Sequence, residues 1–136
     1  MKEKIQNIIL TVQSAGKNKL RLGIGVHDSR NLFKCRGVQV TIKINGLNDI
    51  NCVTTCGNPC DKNGLWIKFN PKTKKPYRKK GYDLYNAKLS KWLLGHSEIK
   101  LSKERSKRLE FEVEKSIDGF ILRYLRFKPK PAHNKT

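Results

Sequence analysis

The stretch VQVTIKI at residues 38–44, followed by Asn45-Gly46, decides which fold this sequence predicts. Four β-branched residues alternate with polar ones along it, and this alternation is typical of a strand that buries one face. The Asn-Gly pair after it is a strong signal for the tight turn of a β-hairpin. We therefore expect a returning strand at about 50–55.

Alternating or β-branched runs predict further strands on both sides of this hairpin. A first pair precedes it at 5–12 and 20–26, joined by the turn residues 14–18. Three more strands are expected after it, at 65–69, 109–113 and 120–127. The chain therefore contains about seven strands at close spacing, bounded by turns that carry glycine, asparagine or proline.

One helix is predicted near 84–94, with Asp83 as its N-cap and Gly95 as the residue that ends it. A single apolar stripe runs along it at helical spacing, formed by Tyr85, Leu89, Trp92 and Leu93. We expect the seven strands to be antiparallel. Together with the one helix, they predict a mainly β fold with a minor α+β character. The sheet is expected to be barrel-like or a sandwich, with the helix packed on one end.

The length of 136 residues indicates a single β-rich basic domain over 1–128, followed by a basic flexible tail at 129–136. This architecture resembles the barrel-like DNA-binding domains of plant transcription factors and of some restriction enzymes, a resemblance at the level of the fold alone, which does not fix function. No stretch approaches the roughly 20 apolar residues of a membrane span. Four cysteines without a recognisable export signal favour reduced thiols in the cytoplasm.

The chain carries 30 lysines and arginines against 11 aspartates and glutamates, a formal net charge of +19 at pH 7. Such a surface attracts polyanions, and nucleic acid is the polyanion whose phosphates lysine and arginine neutralise. A membrane is disfavoured because no basic amphipathic helix with a wide apolar face is present. We expect double-stranded DNA in preference to RNA, in the cytoplasm or on the nucleoid, or in the nucleus of a eukaryotic or viral system.

The densest basic cluster is the loop KTKKPYRKK at 72–80. Lysine and arginine side chains bind phosphates, and tyrosine rings stack on unpaired bases. The alternative is an ordinary solvated loop with its tyrosines turned into the core. A second basic patch lies within 27–39, where arginine and amide side chains are of the types that read base edges. The predicted nucleic-acid contacts are Arg30, Lys34, Arg36, Lys72, Lys74, Lys75, Tyr77, Arg78, Lys79, Lys80 and Tyr82.

The four cysteines raise the question of a metal site. Cys52, Cys56 and Cys60 follow one another at equal intervals, and Cys35 lies upstream. Four thiolates are able to hold a tetrahedral zinc ion, but this spacing departs from the usual two pairs. We therefore expect cysteines that pack as small apolar residues, with zinc or a disulfide as alternatives and no other cofactor.

The sequence favours a binding protein over an enzyme. A metal-dependent nuclease needs clustered carboxylates, whereas Glu110, Glu112 and Glu114 fall on the expected solvent face of one strand. The adjacent His27-Asp28 is a weak acid–base candidate. Three alternatives remain open: an RNA-binding or ribosome-associated protein, a metal-dependent nuclease or ribonuclease toxin, and a zinc-stabilised interaction module.

Overall fold

The computed structural model describes residues 3–25, 37–56, 67, 69–76, 81–103 and 107–128. These residues fold mainly as β-structure, which confirms the expected fold class. The strands are β1 (Glu3–Gly16), β2 (Lys19–Ile24), β3 (Gln39–Lys43), β4 (Ile50–Val53), β5 (Thr55–Cys56), β6 (Tyr82–Leu84), β7 (Lys107–Lys115) and β8 (Gly119–Lys128). Between β6 and β7 lie the helices α1 (Ala87–Gly95) and α2 (Ser97–Leu101).

The strands form one mixed sheet in the order β4-β3-β8-β7-β1-β2-β6-β5. Neighbouring strands are antiparallel except β3 and β8, which run parallel. The sequence pattern predicts antiparallel strands, and this pair differs because it joins distant segments whose relative direction no local turn fixes. The first residue of β8 in this pair is Gly119, which lies opposite Gln39. Only glycine fits there, because a Cβ at this position would lie 2.1 Å from the carbonyl oxygen of Gln39.

The first and last strands of this order, β4 and β5, are consecutive in the chain and are separated by Thr54 alone. One continuous segment therefore pairs with β3 on one side and with β6 on the other. This segment joins the two edges of the sheet, so the sheet nearly closes into a barrel of seven strands when β4 and β5 are counted as one. Closure protects strand edges that would otherwise pair with other chains.

Hydrogen bonds at Thr54 hold the junction between β4 and β5. The Val38 N–H donates to the Thr54 hydroxyl at 2.8 Å, and the Thr54 N–H donates to the Val38 carbonyl at 2.9 Å. The Gly37 N–H donates to the Thr54 carbonyl at 2.8 Å. Thr54 is 2% exposed, so its polar groups depend on these partners. The segment therefore changes neighbours without leaving buried polar groups unpaired.

The core fills the barrel interior with every second residue of the strands, as the alternating burial of β3, β4 and β7 shows. Phe111 and Leu122 are among its fully buried side chains. The two helices cover one end of the barrel, where Leu89, Leu93 and Ile99 join the same core. Of the predicted apolar stripe, Leu89 and Leu93 are buried and Trp92 packs against the core, whereas Tyr85 is not part of it.

The start of the predicted helix is wrong by three residues. Residues 82–84 form β6, which pairs with β2, so Asp83 lies in a strand and caps no helix. The N-cap is Asn86, whose side chain accepts from the Lys88 N–H at 2.7 Å. Tyr85 precedes the helix and is 38% exposed. Tertiary pairing with β2 outweighs the local capping signal at Asp83, because it places Tyr82 in the core.

Other boundaries also differ from the sequence expectations. β1 extends to Gly16, well past the predicted end at residue 12. The sequence pattern does not predict α2, because five residues are too few to show helical periodicity. The predicted strand 65–69 lies largely outside the described residues, although Phe69 forms an isolated bridge with Pro76. The predicted tail at 129–136 lies outside them entirely.

The strand register divides the barrel into two ends. At the helical end lie the β1–β2 turn, the β3–β4 hairpin, the start of β7, the end of β8 and both helices. The Leu20 N–H at the start of β2 donates to the Ser90 hydroxyl of α1 at 3.0 Å and attaches this helix there. At the opposite end, the loop end, the chain leaves β2 and β5 and enters β3 and β6.

We expect Thr54→Val to lower the free energy of unfolding by about 1–3 kcal/mol, because it keeps the side-chain shape but removes the acceptor of the Val38 N–H. Thr55→Val is the matched control: the Thr55 hydroxyl donates to the Asp83 carbonyl at 3.2 Å from an exposed position, and its loss should cost at most about 0.5 kcal/mol. Urea unfolding of both variants measures the difference. Equal costs would contradict the role assigned to Thr54.

Candidate nucleic-acid interface

The two basic segments predicted from the sequence are anchored at the same end of the barrel. The connection that contains most of 27–39 runs from β2 to β3, and the connection that contains 72–80 runs from β5 to β6. All four of these strand termini lie at the loop end. Because no sequence pattern relates the two segments, this common anchorage is a result of the topology.

Part of the basic loop is a turn at 70–75 that presents three lysines. The Asn70 side-chain oxygen accepts from the Lys72 N–H at 2.8 Å and from the Thr73 N–H at 3.4 Å. Its backbone closes the turn, with the Lys74 N–H donating to the Asn70 carbonyl at 2.8 Å and the Asn70 N–H donating to the Lys75 carbonyl at 2.9 Å. Lys72, Lys74 and Lys75 are exposed, and none pairs with a described carboxylate. The turn therefore holds three cations on a fixed backbone.

Most of the other predicted contacts lie outside the described residues and stay predictions: Arg30, Lys34, Arg36, Tyr77, Arg78, Lys79 and Lys80. Tyr82 is described, and its predicted role in stacking is wrong. Its side chain is 1% exposed and belongs to the core. It occupies an inward position of β6, in register with Ile24. A tyrosine beside a basic loop in sequence thus points into the barrel, since strand alternation decides the direction of its side chain.

The acidic residues on the barrel side are paired with basic residues. Arg123 of β8 donates to Glu114 of β7 at 2.9 Å, and this hydrogen bond is the main cause that raises the pKa of the Arg123 guanidinium. Arg126 pairs with Glu110 in the same two strands. Arg21 lies 3.6 Å from Asp83 across β2 and β6. In these three pairs, the charge of each arginine is therefore balanced by a carboxylate.

The ion pairs of Glu110 and Glu114 concern the alternative of a metal-dependent nuclease, which needs clustered carboxylates. The expectation that Glu110 and Glu114 face solvent is too simple, because both side chains are 14% exposed and are held by arginines. In the described part of the chain, no three histidine, cysteine or acidic side chains lie close enough together to hold a metal ion. The carboxylates on β7 thus serve cross-strand pairing, which stabilises antiparallel neighbours.

The helical end carries a second group of cations that the sequence analysis did not single out. Its exposed or half-buried lysines are Lys17, Lys19, Lys88, Lys91, Lys100, Lys103, Lys107 and Lys128. None of them pairs with a described carboxylate. Asp49 of the β3–β4 hairpin is held by Lys43 at 2.9 Å. No sequence pattern indicates this group, because its members come from five separate segments that only the tertiary structure brings to one end.

Cys52 is described and is not placed like a metal ligand. It is 3% exposed, faces the barrel interior from β4 and is in register with Val40. Burial raises the pKa of its thiol to about 11, so the thiol is neutral at physiological pH. Cys35 and Cys60 lie outside the described residues, and only the backbone of Cys56 is described. The zinc alternative therefore stays a prediction that these residues do not test.

Comparison of the chain with models of protein families, with curated proteins and with solved structures gave no match. The functional interpretation therefore depends on the geometry and charge of this molecule. Among the described residues, neither helix has the length and apolar character needed to cross a membrane.

The raised pKa of Cys52 predicts a loss of stability at alkaline pH. The folded chain keeps a proton that the unfolded chain releases above its ordinary pKa of 9.0, so the stabilisation is complete below pH 9 and disappears as the pH rises towards 11. Relative to Cys52→Ala, the free energy of unfolding should fall by on the order of 2 kcal/mol over this interval.

Denaturant titrations under reducing conditions at several pH values measure this difference. Subtracting the variant removes the contribution of the many lysines that titrate in the same range. A difference between the two proteins that stays constant from pH 8 to pH 11 would show that Cys52 titrates normally.

Proposed function

We propose that this protein binds nucleic acid, and double-stranded DNA in particular, through the loop end of its barrel. The observation that supports this most directly is the common anchorage of the two basic segments at that end. The nearly closed barrel is the scaffold from which these connections extend, and binding residues are usually found on the connections of such a scaffold.

The phosphate contacts are assigned to the lysines of the 70–75 turn and to their neighbours in the basic loop. Lys72, Lys74 and Lys75 have no described carboxylate to compete with phosphate. Because the Asn70 hydrogen bonds order the turn, less conformational entropy is lost when these lysines bind. Release of counterions from the DNA then drives binding and makes it depend on salt.

Any reading of base edges is assigned to the arginines of the two segments, Arg30, Arg36 and Arg78. Arginine binds guanine through two hydrogen bonds in the major groove of B-form DNA. The major groove of an RNA duplex is too narrow for side chains to read. Because Tyr82 is buried, the loop end also has one aromatic ring fewer for stacking on unpaired bases than the sequence suggested. Both points favour duplex DNA over RNA.

The test compares two triple variants that each remove three positive charges. Lys72→Gln, Lys74→Gln and Lys75→Gln together change the loop end, whereas Lys17→Gln, Lys100→Gln and Lys103→Gln change the helical end. We expect the first set to weaken duplex binding roughly ten-fold or more and to lower the slope of log affinity against log salt by about 2–3, since each phosphate contact contributes about 0.9. The second set should change the affinity much less.

Fluorescence anisotropy at two or more salt concentrations measures both quantities, with duplex DNA, single strands and structured RNA as separate ligands. Equal losses in the two triple variants would contradict the loop end as the interface. Tighter binding to structured RNA would replace DNA as the partner. Cleavage of either nucleic acid that requires magnesium would favour the nuclease alternative.

A further inference from the structure

A groove at the helical end lies between the β3–β4 hairpin and α1. It has a volume of about 390 Å³ and is lined by Leu47, Asn48, Ile50, Lys88, Lys91 and Trp92. This volume is within the range of about 300–1,000 Å³ that is typical of small-molecule sites. Leu47 is 49% exposed although its neighbour Ile50 belongs to the core. The groove therefore combines an apolar floor with an open side.

The ring of Trp92 packs against two other rings, those of His96 and Tyr124. It meets the His96 ring edge-on, at a centroid distance of 5.2 Å and an angle of 89°. It also meets the Tyr124 ring at 5.0 Å and 74°. The Ile99 N–H donates to His96 Nδ1 at 3.4 Å, so the neutral ring carries its proton on Nε2, which lies 3.0 Å from the Tyr124 hydroxyl. This network fixes the plane of the half-buried Trp92 ring before any ligand binds.

Two lysines on α1 give the groove a positive rim. Lys88 and Lys91 are three residues apart, so they lie on the same face of the helix. Both are exposed, and neither pairs with a described carboxylate. Asp49 is the carboxylate on the facing hairpin, and Lys43 already holds it at 2.9 Å. The charge of the groove is therefore left for a ligand to neutralise.

We propose that this groove binds a nucleotide, with the base against Trp92 and Leu47 and the phosphate at Lys88 and Lys91. An aromatic face stacks on any base, and ammonium groups bind phosphate. The amide of Asn48 offers both a donor and an acceptor to the base edge. The nucleotide is either free or an unpaired residue of a strand, since both present the same ring and phosphate.

A small planar anion fits the groove better than an acidic peptide does. The lysines stand on the helix side, and the apolar residues Leu47 and Ile50 stand on the hairpin side. This arrangement separates one anionic group from one flat apolar group, as a nucleotide does. A bound peptide strand would need several consecutive residues of a sheet edge for its backbone. Ile50 is the one strand residue in the lining of this groove, beside two residues of the hairpin turn and three residues of α1. The proposal does not depend on DNA binding at the loop end.

The test is a titration followed by amide and indole N–H signals in nuclear magnetic resonance spectra. Trp66→Phe assigns the indole signal of Trp92, because the chain has two tryptophans. Adenosine monophosphate should shift this signal and bind roughly ten-fold or more tightly than inorganic phosphate, which lacks the base. Lys88→Gln with Lys91→Gln should weaken the nucleotide roughly ten-fold.

Lys100→Gln with Lys103→Gln is the matched control, since it removes the same charge from exposed positions outside the groove. This control should bind the nucleotide like the parent chain. An equal loss in both double variants, or phosphate binding as tight as nucleotide binding, would overturn the proposal and leave diffuse attraction of anions. Absence of any shift of the Trp92 indole signal would also overturn it, as would a preference for an acidic peptide over the nucleotide.

A short single-stranded oligonucleotide separates the two sources of the ligand. Tighter binding of the oligonucleotide than of the mononucleotide, through the same groove signals, identifies a strand as the source, and the reverse order identifies a free nucleotide. The lysine double variant should leave duplex binding close to that of the parent chain. Loss of nucleotide binding and loss of duplex binding are thus measured separately.

Discussion

The structure depends on the junction at Thr54, where one chain segment changes its pairing partner from β3 to β6. The buried hydroxyl and backbone groups of Thr54 form hydrogen bonds with Val38 and Gly37. These bonds allow the segment to pair with β3 before Thr54 and with β6 after it. Because the sheet then nearly closes on itself, the helices and the longer connections lie at the two ends of the barrel. The connections emerge at one end and the helices cover the other.

Charge follows the same division. On the barrel side, glutamates of β7 are neutralised by arginines of β8, and Asp83 is neutralised by Arg21. The lysines without carboxylate partners in the described chain lie mainly at the ends, on turns, helices and strand termini. Among the described residues, the positive charge that has no carboxylate partner therefore lies mainly at the two ends. These lysines lie on two surfaces that differ in shape: connections at the loop end and a groove lined by Trp92 at the helical end.

The sequence predicted those elements that have strong local periodicity. The strand at 38–44, its hairpin and the buried stripe of α1 are all present. It failed where a long-range contact opposed a local signal. Asp83 looked like a helix cap, and Tyr82 looked like a stacking residue, yet pairing with β2 makes both part of a strand. For the candidate interface, the composition identified the loop lysines, but no pattern pointed to a groove assembled from residues 47–50 and 88–92.

The sequence by itself determined a mainly β, strongly basic chain. Alternation of apolar and polar residues is a property of neighbouring residues, and net charge is a property of the composition. Only the tertiary structure decided that the strand at 38–44 lies parallel to β8. The tertiary structure likewise decided that the connections containing the two basic segments attach to the barrel at the same end. It also decided that Lys88, Lys91 and Trp92 face the hairpin at 44–49. These relations join residues far apart in the chain, and their energies come from burial and pairing, which local preferences do not specify.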